Sequence, residues 1–90
     1  MEILKNKNNI LIIKNDNKVS LASYETLIAI FNETTKTLKL DATYWDYSKT
    51  TLKHLKEFIN NYTCFNYETK KDFEKEIKNN DNIIEIINLK

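Results

Sequence analysis

Short apolar runs, separated by turns rich in asparagine and aspartate, fill the first half of the chain. This spacing is typical of β-hairpins. The last run alternates most regularly, with Leu38 and Leu40 on one side and Lys39 on the other, which predicts a strand with one wet face. The run before it is apolar on both sides, as expected for a covered strand. The predicted strands span residues 2–5, 10–14, 18–31 and 36–44, where residues 26–31 continue the strand that begins with 18–24.

The second half of the chain predicts two helices and a closing strand. Apolar side chains recur at helical spacing through residues 48–61, and Ser48 stands where a helix N-cap is expected. Thr69 is followed three positions later by an acid, which is typical of a capping box and predicts a shorter helix over 69–79. Residues 83–89 are rich in isoleucine and predict the last strand.

Together these elements predict one α+β domain over residues 1–90. Its antiparallel sheet has four to five strands and carries two helices on one face, in the chain order β(β)ββ-α-α-β. We expect the C-terminal strand to pair beside an N-terminal strand, because an isolated apolar edge invites aggregation. The expected core packs Leu52, Leu55, Phe58, Ile59, Phe73 and Ile77 against Ile12, Ile28, Ile30, Leu38 and Leu40.

The composition excludes several classes of function. The chain has no glycine and no proline, which rules out a glycine-rich phosphate loop, a dinucleotide fingerprint and a nucleophile elbow. None of its 14 basic residues is arginine, so bidentate guanidinium contacts to phosphate or guanine are absent. The net charge of +1 argues against a strongly cationic nucleic-acid binder, although it leaves room for a local basic patch.

The sequence offers little catalytic or metal-binding chemistry. Its one cysteine, Cys64, cannot form an internal disulfide, which fits a reducing cytoplasm. The chain also has a single histidine, so a zinc site would need carboxylates to complete its ligands. We therefore expect no metal and no cofactor. We expect His54 on the helix surface near the sheet, Cys64 buried and Asp41 in solvent. Because no acid or nucleophile is placed to orient His54, a general-base role is the weaker interpretation. No apolar run is long enough to span a membrane.

The junction between the last hairpin strand and the main helix concentrates aromatic and basic residues. Exposed tyrosine and tryptophan often anchor protein interfaces, and lysines at helical spacing form one basic stripe. Two alternatives stay open: the lysines form an ordinary solvated helix face, and Trp45 is buried and only fixes where the helix begins. The candidate partner-binding residues are Tyr44, Trp45, Tyr47, Lys49, Lys53 and Lys56.

Two segments resemble a family of small proteins encoded by phages and other mobile elements of low-GC bacteria. Residues 21–29, LASYETLIA, are similar to its SYxTxIA strand, and residues 47–55, YSKTTLKHL, are similar to its YSxTTxKH strand-to-helix signature. Glu25 and Leu27 stand where the family usually has Gly and Pro. The resemblance covers roughly residues 20–60. Small phage proteins of this kind include anti-CRISPR inhibitors, and this is the class of function that the resemblance implies.

The sequence therefore predicts a phage-type anti-CRISPR inhibitor in the cytoplasm of the host bacterium. We expect it to act without catalysis, by binding a host defence protein such as a CRISPR effector nuclease or its ribonucleoprotein. The alternative is a small nucleic-acid-binding module that uses the lysine stripe Lys49, Lys53 and Lys56 beside stacking aromatic rings. Neither function involves a membrane.

Overall fold

The computed structural model describes residues 1–89, and this part of the chain forms one six-stranded sheet and two helices. The sheet order follows the chain order, with antiparallel pairing throughout the first five strands. The strands are β1 (Glu2–Lys7), β2 (Ile10–Asn15), β3 (Lys18–Ser23), β4 (Thr26–Asn32), β5 (Thr37–Asp41) and β6 (Ile84–Ile87). The helices α1 (Lys49–Tyr62) and α2 (Lys70–Asn79) lie between β5 and β6 in the sequence.

The predicted α+β class is confirmed, but the predicted sheet is wrong in its details. It has six strands instead of four to five, because a turn at Tyr24 and Glu25 divides the predicted strand over residues 18–31 into β3 and β4. The last strand, β6, pairs in parallel with β5, through Leu38 with Ile84 and Leu40 with Ile86. The sheet is therefore mixed, and β6 lies at the opposite edge from β1 rather than beside an N-terminal strand. The reason is the path of the two helices, because they return the chain to the end of the sheet at which β5 begins. Such a long crossover is what parallel pairing requires.

The hairpin turns adopt left-handed backbone conformations without any glycine. Asn8 and Asn9 connect β1 to β2 with φ of 54° and 66°. Tyr24 and Glu25 connect β3 to β4 with nearly the same angles, 50° and 67°. Two consecutive residues at positive φ are typical of the type I′ turn that suits the twist of a hairpin. Asparagine tolerates this conformation, whereas tyrosine and glutamate adopt it only at a steric cost.

The core lies between one face of the sheet and α1, and most of the predicted core residues are in it. Leu55, Phe58 and Ile59 of α1 are completely buried, and Phe73 is the one buried residue of α2. Leu52 and Ile77 are half-buried against this core. The sheet contributes Ile10, Ile12, Val19, Leu21, Ile28, Ala29, Phe31, Leu38, Leu40 and Ile84.

The prediction that Ile30 belongs to this core is wrong. A bulge in β4 leaves Ile28 without a partner, because Leu21 pairs with Ala29 and Ala22 pairs with Leu27. A bulge breaks the alternation of a strand, so Ile28 and Ala29 are both buried. Ile30 then lies on the opposite face of the sheet, where it neighbours Lys39 and is half-buried.

Truncation of a core leucine tests the assignment of the buried face of α1. Leu55→Ala should lower the free energy of unfolding by about 2–5 kcal/mol, because it removes buried methyl groups and leaves a cavity. Leu52→Ala is the matched control, since it deletes the same atoms from a half-buried position of the same helix and should cost less. Urea unfolding of both variants measures the difference. Equal losses of stability would show that the helix face is wrongly assigned.

Candidate functional site

The N-terminus of α1 is built by a short polar cap, as the sequence predicted. Ser48 has an extended backbone, and its Oγ accepts a hydrogen bond of 3.1 Å from the backbone N–H of Thr51. Its carbonyl accepts the first helical bond, from Leu52 N–H, at 2.9 Å. The cap fixes the direction of the helix where it leaves the turn after β5.

A pocket of about 430 Å³ opens between the β3–β4 turn and this end of α1. Both segments that carry the family resemblance contribute to it, and Tyr44 is the one lining residue outside them. No lining side chain carries a formal charge, and all except one end in a hydroxyl group. The pocket is lined by Ser23, Tyr24, Thr26, Ile28, Tyr44, Tyr47, Ser48, Thr50 and Thr51. The sequence analysis missed Ser23, Tyr24 and Thr26, although the resemblance included them.

His54 connects α1 to the end of β3. Its Nδ1 lies 2.7 Å from Ser23 Oγ, and its ring stacks on Tyr24 with 5.9 Å between the ring centroids. The prediction of a surface histidine is therefore wrong, because His54 is only 6% exposed. Burial lowers the pKa of His54 below the usual 6.5, with smaller contributions from Glu57, which raises it, and from two lysines, which lower it. The imidazole is therefore neutral at pH 7.

The contact between Ser23 and His54 resembles a nucleophile and its base, but its surroundings favour a structural role. Ser23 is only 3% exposed, so a substrate has little access to its Oγ. Among the described residues, no carboxylate hydrogen-bonds to His54 and orients it. We therefore interpret the pair as a buried polar link between sheet and helix.

The aromatic cluster after β5 divides into a buried part and an exposed part. Trp45 is 8% exposed, packs edge-to-face on Phe73 and has Lys70 Nζ 5.9 Å from its ring centroid. Tyr47 is 71% exposed, and its ring lies 5.5 Å from that of half-buried Tyr44. Burial of Trp45 supports the alternative that it fixes where α1 begins. Tyr47 is the exposed aromatic residue of the cluster.

Asp41 organises the turn that carries this cluster, and its expected exposure is wrong. It is 1% exposed, and its Oδ2 accepts hydrogen bonds from the backbone N–H groups of Thr43 and Tyr44 at 3.1 Å and 3.0 Å. Its Oδ1 accepts from Leu89 N–H at 2.9 Å. Aspartate commonly accepts from the backbone two residues ahead in turns, which was the available sequence signal.

The three lysines of the predicted stripe are exposed. Among the described residues, Lys49, Lys53 and Lys56 take part in no ion pair. Glu57, the acid nearest to them along the helix, instead pairs with Lys5 of β1 at 2.6 Å. Glu57 therefore offsets the positive charge of the stripe less than its position in the sequence indicates.

The prediction of a buried Cys64 is wrong, because this residue is exposed. It lies just after α1, where Phe65 and Tyr67 take the buried positions. Within residues 1–89, no group of three or more His, Cys, Asp and Glu side chains is arranged to hold a metal ion. Neither helix in this part of the chain is long and apolar enough to cross a membrane.

Fold and site together define a small α+β domain with a neutral pocket at the junction of sheet and helix. The chain belongs to DUF8033, a family of unknown function, which matches residues 2–75. The matching region runs from β1 into α2 and includes every residue that lines the pocket. No curated protein and no solved structure matches the chain.

The buried histidine predicts a pH dependence of stability. Its folded pKa lies below 6.5, so as the pH falls below that value the unfolded state takes up a proton before the folded state does. The free energy of unfolding should therefore fall as the pH is lowered through 6.5 toward the folded pKa, by at most about 1.4 kcal/mol per pH unit. Urea unfolding of the wild type and of His54→Gln tests this. Because the chain has one histidine, the variant should show a flatter profile, and parallel profiles would contradict the assignment.

A matched pair of substitutions tests the division of the aromatic cluster. Trp45→Ala should lower the free energy of unfolding by about 3–5 kcal/mol, because it empties a buried site. Tyr47→Ala should cost about 1 kcal/mol or less, because most of its side chain is already in water. Thermal melts followed by circular dichroism measure both effects. A Trp45→Ala protein that melts at the wild-type temperature would mean that Trp45 is not part of the core.

Proposed function

We propose that this protein is a phage-type anti-defence inhibitor that binds a host CRISPR effector nuclease, or its ribonucleoprotein, without catalysing a reaction. One observation carries the proposal. The segments 21–29 and 47–55, which resemble the phage family, lie on different elements and meet around one pocket. This convergence supports a single contact surface at the junction of sheet and helix.

The exposed groups around that junction are suited to a protein partner. Tyr47 and Tyr24 are the exposed aromatic side chains there, with 71% and 56% of their surface accessible. Tyrosine is enriched at the energetic centres of interfaces, because it combines a large apolar area with a hydroxyl group. Lys49 and Lys53 add positive charge beside the N-terminus of α1, which carries a partial positive charge itself. Such a surface favours an acidic loop on the partner.

The burial of Trp45 changes the composition of the proposed contact. In the free protein Trp45 stabilises the fold, so Tyr47 replaces it as the anchor of the surface. Tyr44 supports Tyr47 from a half-buried position, and Lys56 lies further along α1 at the rim. A net charge of +1 fits this mixed surface better than it fits mimicry of DNA.

Co-purification with a panel of CRISPR effectors, together with DNA-cleavage assays, tests the proposal. We expect at least one effector to form a complex and to lose cleavage activity. The double variant Tyr47→Ala/Lys49→Ala should weaken that complex by about 30-fold or more, as expected for the loss of a hot spot.

Lys39→Ala is the control, because it removes a lysine from the opposite face of the sheet. It should leave both the complex and the inhibition unchanged. The proposal fails if no effector is bound or inhibited, or if the double variant inhibits as well as the wild type.

A further inference from the structure

We propose that the pocket between the β3–β4 turn and α1 binds one unpaired base of a single-stranded nucleic acid. In this arrangement Lys49 and Lys53 contact the phosphates on either side of that base. The inference goes beyond the proposed inhibitor function, which requires only a protein contact. Base binding is therefore measured with oligonucleotides alone, in the absence of any effector.

The backbone of the β3–β4 turn is strained. Tyr24 and Glu25 adopt the same left-handed angles as Asn8 and Asn9, with no φ differing by more than a few degrees. The β1–β2 turn is thus built from asparagines, which tolerate this conformation, whereas the β3–β4 turn is built from residues that do not favour it. Backbone strain of this kind is concentrated at functional sites. Replacing Tyr24 by asparagine would relieve the strain but remove the aromatic ring, so the ring is what the strained turn preserves.

The Tyr24 ring is fixed in position and accessible to solvent. One face of the ring stacks on His54, which is itself buried and hydrogen-bonded to Ser23. The ring is therefore held in place although 56% of the residue is exposed. An aromatic ring that is both fixed and accessible is a good stacking surface, because little rotational freedom is lost when a ligand binds. Tyr47 supplies a second exposed ring on the same pocket.

The pocket wall presents hydroxyl groups and no charged side chain. The hydroxyl groups of Thr26 and Thr50 line it, and they make no hydrogen bond to another described residue. A hydroxyl group donates and accepts, which suits the mixed donors and acceptors on the edge of a base. The absence of charged groups among the lining side chains fits an uncharged base, and about 430 Å³ is ample for one. No lining side chain offers an opposite charge to a carboxylate or ammonium group from a protein.

Two exposed lysines lie just outside the pocket. Lys49 and Lys53 are exposed on the first turns of α1, next to the lining residues Ser48 and Thr50. Proteins that bind single strands combine aromatic stacking with a track of positive charge along the backbone. A base in a duplex would first have to leave its stack, so single strands are the favoured ligand.

Fluorescence anisotropy with fluorescein-labelled oligo(U) and oligo(dT) of about ten nucleotides tests the inference at low salt. We expect single strands to bind and a duplex of the same length to bind more weakly. Tyr24→Asn should weaken binding of single strands by about 5-fold to 150-fold, the range expected when an aromatic side chain that stacks on one base is removed. Because asparagine suits the turn, this variant should not melt at a markedly lower temperature than the wild type.

Tyr47→Ala, which removes the second exposed ring of the pocket, should also weaken binding of single strands.

The salt dependence tests the role of the lysines. Lys49→Gln/Lys53→Gln should reduce the slope of log K against log salt by about 1.4, since each phosphate contact to a single strand contributes about 0.7. Lys18→Gln/Lys39→Gln is the control, with the same change of net charge on the opposite face of the sheet. It should leave the slope unchanged.

Four results would each overturn the inference. The first three are no single strand bound at low salt, a duplex bound as tightly as single strands, and equal effects of the two lysine pairs. The fourth is a Tyr24→Asn protein that folds and binds like the wild type. Oligonucleotide binding without any effector complex would support the inference while the proposed inhibitor function fails. An effector complex without oligonucleotide binding would support the inhibitor function and reject the inference.

Discussion

The packing of α1 across β3 and β4 is the interaction on which the rest of the structure depends. Leu55, Phe58 and Ile59 bury the apolar stripe of the helix against the sheet and are completely buried. At one end, the contact between Ser23 and His54 fixes where the helix lies relative to β3. The pocket exists because this contact and the Ser48 cap hold the β3–β4 turn and the helix N-terminus close together.

Asp41 provides the second constraint. A buried carboxylate is tolerated only when hydrogen bonds replace its lost hydration, and three backbone N–H groups do so here. They come from the turn after β5 and from Leu89, so one side chain joins the segment before α1 to the segment after β6. The aromatic cluster is carried by the same turn, and Asp41 thereby helps to place Trp45 in the core and Tyr47 at the surface.

The site combines a rigid frame with exposed groups that do not stabilise it. Trp45 and His54 are buried, whereas Tyr24, Tyr47 and the three lysines of the stripe face solvent. Tyr24 is the informative residue, because its backbone conformation is costly and its ring is accessible. Natural proteins usually depart from the local rules of folding at functional sites. Within residues 1–89 the other positive-φ residues are Asn8, Asn9, Asp16 and the single Lys36, so Tyr24 and Glu25 are the one consecutive pair in this conformation that contains no asparagine.

The sequence by itself determined the elements of this fold, because strands, helices and caps depend on neighbours within a few positions. Periodicity located the extended segments of the hairpins but not the turn that divides residues 18–31 into β3 and β4, and Ser48 and Thr69 marked the beginnings of both helices. Only the tertiary structure decided the partner of β6, the burial of Asp41 and His54, and the exposure of Cys64. These depend on contacts between residues far apart in the chain, such as Ser23 with His54 or Asp41 with Leu89. The pocket was likewise decided by the tertiary structure, since no local pattern shows that two hydroxyl-rich segments meet.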